Sequence, residues 1–175
     1  YFNPEYEIYT RYSYSSNEKK GLSNPVVGRT IEDKDGNLWI GTEGGGLNYY
    51  NRRTREFKWY RPQEGRNSIS HNNVKALYYD ADKEIIWIGT HLGGLNKLDI
   101  RSGHFTHYRM EEGNPNTLPS DIIRDIIPYK SLLIIATQNG VCLFDPANGQ
   151  CQQLFKDSKE GKSIKMVADV TFDSE

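Results

Sequence analysis

Apolar residues along this chain come in short runs broken by glycine, asparagine and aspartate, and they never settle into the three-to-four spacing of an amphipathic helix. Within the runs, Val, Ile, Tyr and Trp dominate and polar residues alternate with them, which predicts short strands joined by tight turns. One such stretch, Trp39-Ile40-Gly41-Thr42 followed by Gly45-Gly46-Leu47-Asn48, recurs 48 residues later as Trp87-Ile88-Gly89-Thr90 followed by Gly93-Gly94-Leu95-Asn96. A worn third copy, Ile134-Ile135-Ala136-Thr137 then Asn139-Gly140-Val141, stands 47 residues beyond the second. A fixed period that carries strands and a glycine turn marks a repeat architecture.

Each repeat predicts four strands: 27–32, 38–42, 47–51 and 56–61 in the first, 74–79, 85–90, 94–99 and 104–109 in the second, 122–127, 132–137, 141–145 and 150–155 in the third. The 33–37 turn, Asp-Lys-Asp-Gly-Asn, supplies residues that tolerate positive φ, so adjacent strands return antiparallel. Four antiparallel strands per repeat is the recipe for a β-propeller blade, and the fold class expected is all-β. The blades fall at 24–61, 73–109 and 121–155, with the end of one blade in 1–15, where Tyr12 matches Tyr60 and Tyr108, and the start of another in 164–173. That amounts to about three and a half blades, fewer than a closed ring requires, and it reads as a piece of a longer array. Trp-Ile strands would be buried on both faces between blades, with Gly41 and Gly89 allowing close backbone approach.

Composition adds that the chain should fold: 12% of its residues are aromatic, among them 12 Tyr. With 22 Lys and Arg against 23 Asp and Glu, the net charge of −1 gives no basic excess for nucleic acid. No apolar run approaches a membrane span, so membrane contact by this segment is not expected. Opening at Tyr1 without an initiator Met reads as a mature or excised fragment. Cys142 and Cys151 flank the 145–149 turn; two half-buried apolar residues and a cross-strand disulfide are both open.

The chemistry is sparse. The glycine turns at 41–46 and 89–94 lack the Gly-Lys-Ser/Thr ending and following helix of a phosphate loop. His104 and His107 sit three apart on a strand and face opposite ways, so no metal site or other cofactor is expected. Trp59, on an outer strand, reads as an edge cover. In a propeller, loops joining a fourth strand to the next first strand emerge on the same face as loops joining second to third strands. Here they carry Glu43, His71, Asn72, Asn73, His91, Ser120, Asp121 and Gln138, whose groups suit sugar hydroxyls and form the candidate ligand site.

The sequence of apolar strand, Asp, Gly-Asn turn, Leu-Trp-Ile-Gly-Thr, Gly-Gly-Leu and aromatic-x-x-Tyr resembles the two-component regulator propeller repeat, over residues 1–173 and most closely at 31–50 and 78–99. In that family such repeats form the periplasmic sensor region of hybrid two-component histidine kinases of gut Bacteroidetes. The resemblance implies paired propellers, of which this segment would be a piece, followed by a small β-sandwich, one membrane helix in the inner membrane and cytoplasmic signalling modules, and none of the signalling modules lies in this segment. It implies an oligosaccharide stimulus, and partners in the rest of the propeller and in a second protomer. Two other readings stay open: a propeller-type polysaccharide lyase or hydrolase using carboxylates such as Glu43 or Asp121, and a non-catalytic interaction scaffold.

Overall fold

Twelve strands form three four-stranded antiparallel sheets in the computed structural model, which describes residues 10–154. The expectations for 1–9 and for the strand at 166–172 lie outside those residues. Blade 1 holds β1 (Val27–Glu32), β2 (Leu38–Thr42), β3 (Gly46–Asn51) and β4 (Glu56–Tyr60). Blade 2 holds β5 (Val74–Asp80), β6 (Ile85–Thr90), β7 (Leu95–Asp99) and β8 (His104–Tyr108), and blade 3 holds β9 (Ile123–Tyr129), β10 (Leu132–Thr137), β11 (Gly140–Phe144) and β12 (Cys151–Leu154). Each sheet keeps the chain order of its strands, the meander expected of a propeller blade. Among the described residues the single helical element is a one-turn 3-10 segment, Glu18–Lys20.

Register ties the repeats together more tightly than spacing does. Trp39 stands between Ile31 and Tyr49, Trp87 between Tyr78 and Lys97, and Ile134 between Ile127 and Leu143. First strands of neighbouring blades pack on one another, β5 lying between β1 and β9. Accordingly β5 and β9 are buried near their starts, whereas β1 is exposed along most of its length. One face of each blade meets the opposite face of the next: Trp39 and Leu47 pack with Leu77, Ile86, Ile88, Leu98 and Phe105. Trp87 and Leu95 in turn pack with Ile126, Leu133, Ile135 and Phe144. Tyr12 lies 4.6 Å from Tyr50, ring to ring, and occupies against blade 1 the place that Tyr60 takes against Phe105 and Tyr108 against Phe144.

The repeated small and polar residues have definite tasks. A Cβ on Gly41 would come within 2.6 Å of Val74 Cγ1, and one on Gly89 within 2.5 Å of Ile123 Cγ2, so blades converge where the side chain is missing. Thr42, Thr90 and Thr137, all fully buried, donate to the carbonyls of Gly46, Gly94 and Gly140 at 2.8–2.9 Å and close the turn between second and third strands. Asn48 accepts from the Ser23 amide at 2.7 Å and donates to its hydroxyl at 2.8 Å; Asn96 treats Ser70 in the same way. Each asparagine therefore staples the incoming loop to its third strand.

Charged residues add contacts between blades. Glu84 forms ion pairs with Lys34 of blade 1 and Arg101 of blade 2, which hold its carboxyl below the usual range. Arg29 Nη2 reaches Asp125 Oδ1 at 3.1 Å, joining blades 1 and 3 at a register position that Ala76 fills in blade 2. Trp59 donates its indole N–H to the Gly21 carbonyl at 2.9 Å, with Arg61 over its ring, in keeping with an edge cover.

Candidate functional site

Hydrogen bonding between turns brings the loop residues named from the sequence into one ladder across the three blades. The Glu43 amide donates to the Val26 carbonyl at 3.0 Å, His91 to Asn73 at 2.9 Å and Gln138 to Ile122 at 2.9 Å, so each turn between second and third strands clips the start of its own blade. The next link crosses blades: Gly44 and Gly46 donate to the Asn72 carbonyl at 3.2 and 2.7 Å, and Gly94 donates to Asp121 at 2.9 Å. Gly46 and Gly94 adopt φ of 82° and 71°, which lets the chain reverse against the end of the fourth strand.

Their side chains divide into two groups. Ser120, buried, accepts from the Ile122 amide at 3.1 Å, and Asp121 accepts from the Met110 amide at 2.8 Å while its second oxygen lies 3.6 Å from Arg109, so both serve the loop itself. Gln138 accepts from Arg124 at 3.4 Å, and Glu43 forms an ion pair with Lys75. In the second group the rings of His71 and His91 stand 6.5 Å apart. His71 Nδ1 accepts from the Asn73 amide at 3.1 Å. Burial, with His91 and Arg109 nearby, pushes the His71 pKa down and keeps its ring neutral near pH 7. Asn73 Oδ1 and His91 Nδ1 are buried atoms without a hydrogen-bond partner. Asn72 is exposed at the edge of this group.

Two kinds of residue here were missed from the sequence. Lys75, Arg109 and Arg124 supply cations to the loop carboxylates and amide. Leu92, at the tip of the blade 2 turn, is 56% exposed and holds φ of 76°, a conformation costly for a leucine and taken by Gly44 in blade 1. Comparison of the two turns is the signal that would have found it. A depression of about 380 Å³ opens beside the ladder, with Glu64, Arg66, Ser70, His107 and Arg109 in its wall. A larger one, about 500 Å³, lies on the side of blade 3 that in blades 1 and 2 is covered by the following blade, and it is set apart from the loop face.

The site presents amide, imidazole and guanidinium groups around two unpartnered polar atoms, an arrangement suited to binding a polyhydroxylated ligand. Among the described residues, no cluster of three or more His, Cys, Asp or Glu side chains could hold a metal ion, and no helix is long and apolar enough to cross a membrane.

Residues 21–44 and 68–91 match the family described as Two component regulator propeller. Among solved structures, the extracellular domain of BT3049, a proposed hybrid two component system of B. thetaiotaomicron, is 26% identical with a TM-score of 0.76, covering 86% of this chain and 21% of its own. The extracellular domain of BT4673, a second such system from the same organism, is 25% identical with a TM-score of 0.63, covering 82% of this chain and 20% of its own. PorZ of Porphyromonas gingivalis, 18% identical with a TM-score of 0.61 over 89% of this chain and 24% of its own, shares the fold. The chain thus spans about a fifth of the length of the first two structures. No curated protein matches it.

Proposed function

Because residues 21–44 and 68–91 carry two-component regulator propeller repeats, we infer that this chain is part of the extracytoplasmic sensor region of a hybrid two-component signalling protein. Its loop face receives an oligosaccharide, or passes on the binding of one, and the signal reaches a kinase elsewhere in the protein. The likeness to extracellular domains of such systems supports the location and the role. The observation that carries ligand binding is the pair of unpartnered polar atoms, Asn73 Oδ1 and His91 Nδ1, buried beneath the face where the loops of three blades meet. An unpaired buried polar atom costs about 1–3 kcal/mol, which a ligand hydroxyl would recover once the loops shift to admit it.

Calorimetric titration of the complete sensor region with neutral and acidic oligosaccharides tests the reading. Binding that weakens roughly tenfold or more in Asn73→Ala, corresponding to about 1.4 kcal/mol, is expected. A region that binds none of them while the intact protein still signals would overturn it. Sugar products released on incubation, and lost in Glu43→Gln, would replace sensing with catalysis.

A further inference from the structure

Comparison of the three blades isolates one place where the repeat abandons its own chemistry. In blades 1 and 2 the incoming loop is held by a serine paired with an asparagine of the third strand, Ser23 with Asn48 and Ser70 with Asn96. In blade 3 the residue after Leu118 is Pro119, which has no amide hydrogen to donate, and the strand position opposite the second residue from the end of the fourth strand is Cys142. The neighbouring position in the fourth strand changes with it: Phe57 and Phe105 in blades 1 and 2 become Cys151. Both cysteines are buried in the contact between blades 2 and 3, and their sulfurs lie 3.2 Å apart. The Cys151 amide is held by the Asn116 carbonyl at 2.8 Å, so the loop still anchors the start of β12.

We propose that Cys142 and Cys151 are a disulfide-forming pair that ties β11 to β12 in the one blade that lacks the asparagine–serine staple. They sit on the same face of adjacent strands in diagonal register, Cys142 opposite Gln153 and Cys151 opposite Phe144. Closing the bond asks the sulfurs to approach by about 1 Å, a movement that β12, paired on one side, can supply. A thiol–disulfide oxidoreductase or oxidised glutathione is the oxidant. The Cys151 thiolate attacks one sulfur of its disulfide and expels a first thiol; Cys142, deprotonated, then attacks the Cys151 sulfur of the mixed disulfide and expels the second. The two protein protons end on the two departing thiols, and the oxidant gains the two electrons. The thiol contact with Cys151, together with burial, pushes the Cys142 pKa up, so exchange waits for β12 to open. That the bond forms in the cell rests on the extracytoplasmic reading, since such compartments are oxidising.

Thiol alkylation under denaturing conditions, followed by peptide mass analysis, tests the pairing in two arms. Trypsin leaves both cysteines on one peptide between Lys130 and Lys156, and a second cleavage before Asp145 separates them unless a disulfide joins the pieces. The first arm treats the purified complete sensor region with oxidised glutathione: joined pieces, released by dithiothreitol and never formed by Cys142→Ser, are expected. Two alkylated thiols after that treatment would overturn the pairing. The second arm uses protein taken directly from cells that produce it natively, alkylated at lysis. Joined pieces there support the pairing in its native compartment. Free thiols there, with joined pieces in the first arm, uphold the pairing and count against the extracytoplasmic reading.

Discussion

Replacing Gly89 by alanine places one carbon where two blades converge. The new Cβ would lie 2.5 Å from Ile123 Cγ2, 2.9 Å from its Cβ and 3.0 Å from the Cβ of Ala76. Carbon atoms rest about 3.5–4.0 Å apart, so β9 must retreat from β6 by about 1 Å. Overpacking of this kind costs about 1–3 kcal/mol, offset by about 0.4–1 kcal/mol because alanine narrows the unfolded ensemble. The net expectation is a loss of about 1–2 kcal/mol. Urea unfolding of the complete sensor region, followed by tryptophan fluorescence, measures it, Trp87 reporting on the blade 2–3 contact. Ile123→Ala alone should cost about 2–5 kcal/mol. In the double variant the two changes should couple favourably by about 1 kcal/mol, because removing the branched carbons removes the clash. A Gly89→Ala protein more stable than the parent, or costs that simply add, would refute the close-approach reasoning.

Three further outcomes follow from the structure. Asn96→Ala strips the staple from Ser70 and should cost about 1–3 kcal/mol in the same unfolding measurement, and Asn96→Asp, which keeps an acceptor for the Ser70 amide but places a carboxylate at a fully buried position, should cost at least as much near neutral pH. Leu92→Gly relieves a positive φ and should raise stability by about 1 kcal/mol; a fall in oligosaccharide affinity in that variant would assign the exposed leucine to the ligand contact. His71 has a depressed pKa, so the folded state binds its proton less readily than the unfolded state. Its contribution is fully present above the ordinary pKa of about 6.5 and is lost as pH falls from there through the folded value. Stability measured across that window should decline in the parent and decline less in His71→Gln.

Strands and blades were legible because their causes are local. Alternation of side chains, the Asp-Gly-Asn turn and the recurrence of Trp39 at Trp87 predict which residues pair and which face is apolar, and Gly41 and Gly89 mark the approach of neighbours. Connectivity alone brings the turns after the second strands and the loops after the fourth to one face, so the eight loop residues were found together. Their division was not legible. Whether Ser120 and Asp121 close a loop, or Asn73 and His91 leave a buried polar atom unpaired, depends on the stagger and rotation of one blade against the next. The Asn48–Ser23 staple, the reach of Arg29 past Ala76 to Asp125, and the meeting of Cys142 with Cys151 are of the same kind. Hydrogen bonds and thiol contacts work over a few tenths of an ångström, and only the packed arrangement of side chains sets distances that finely.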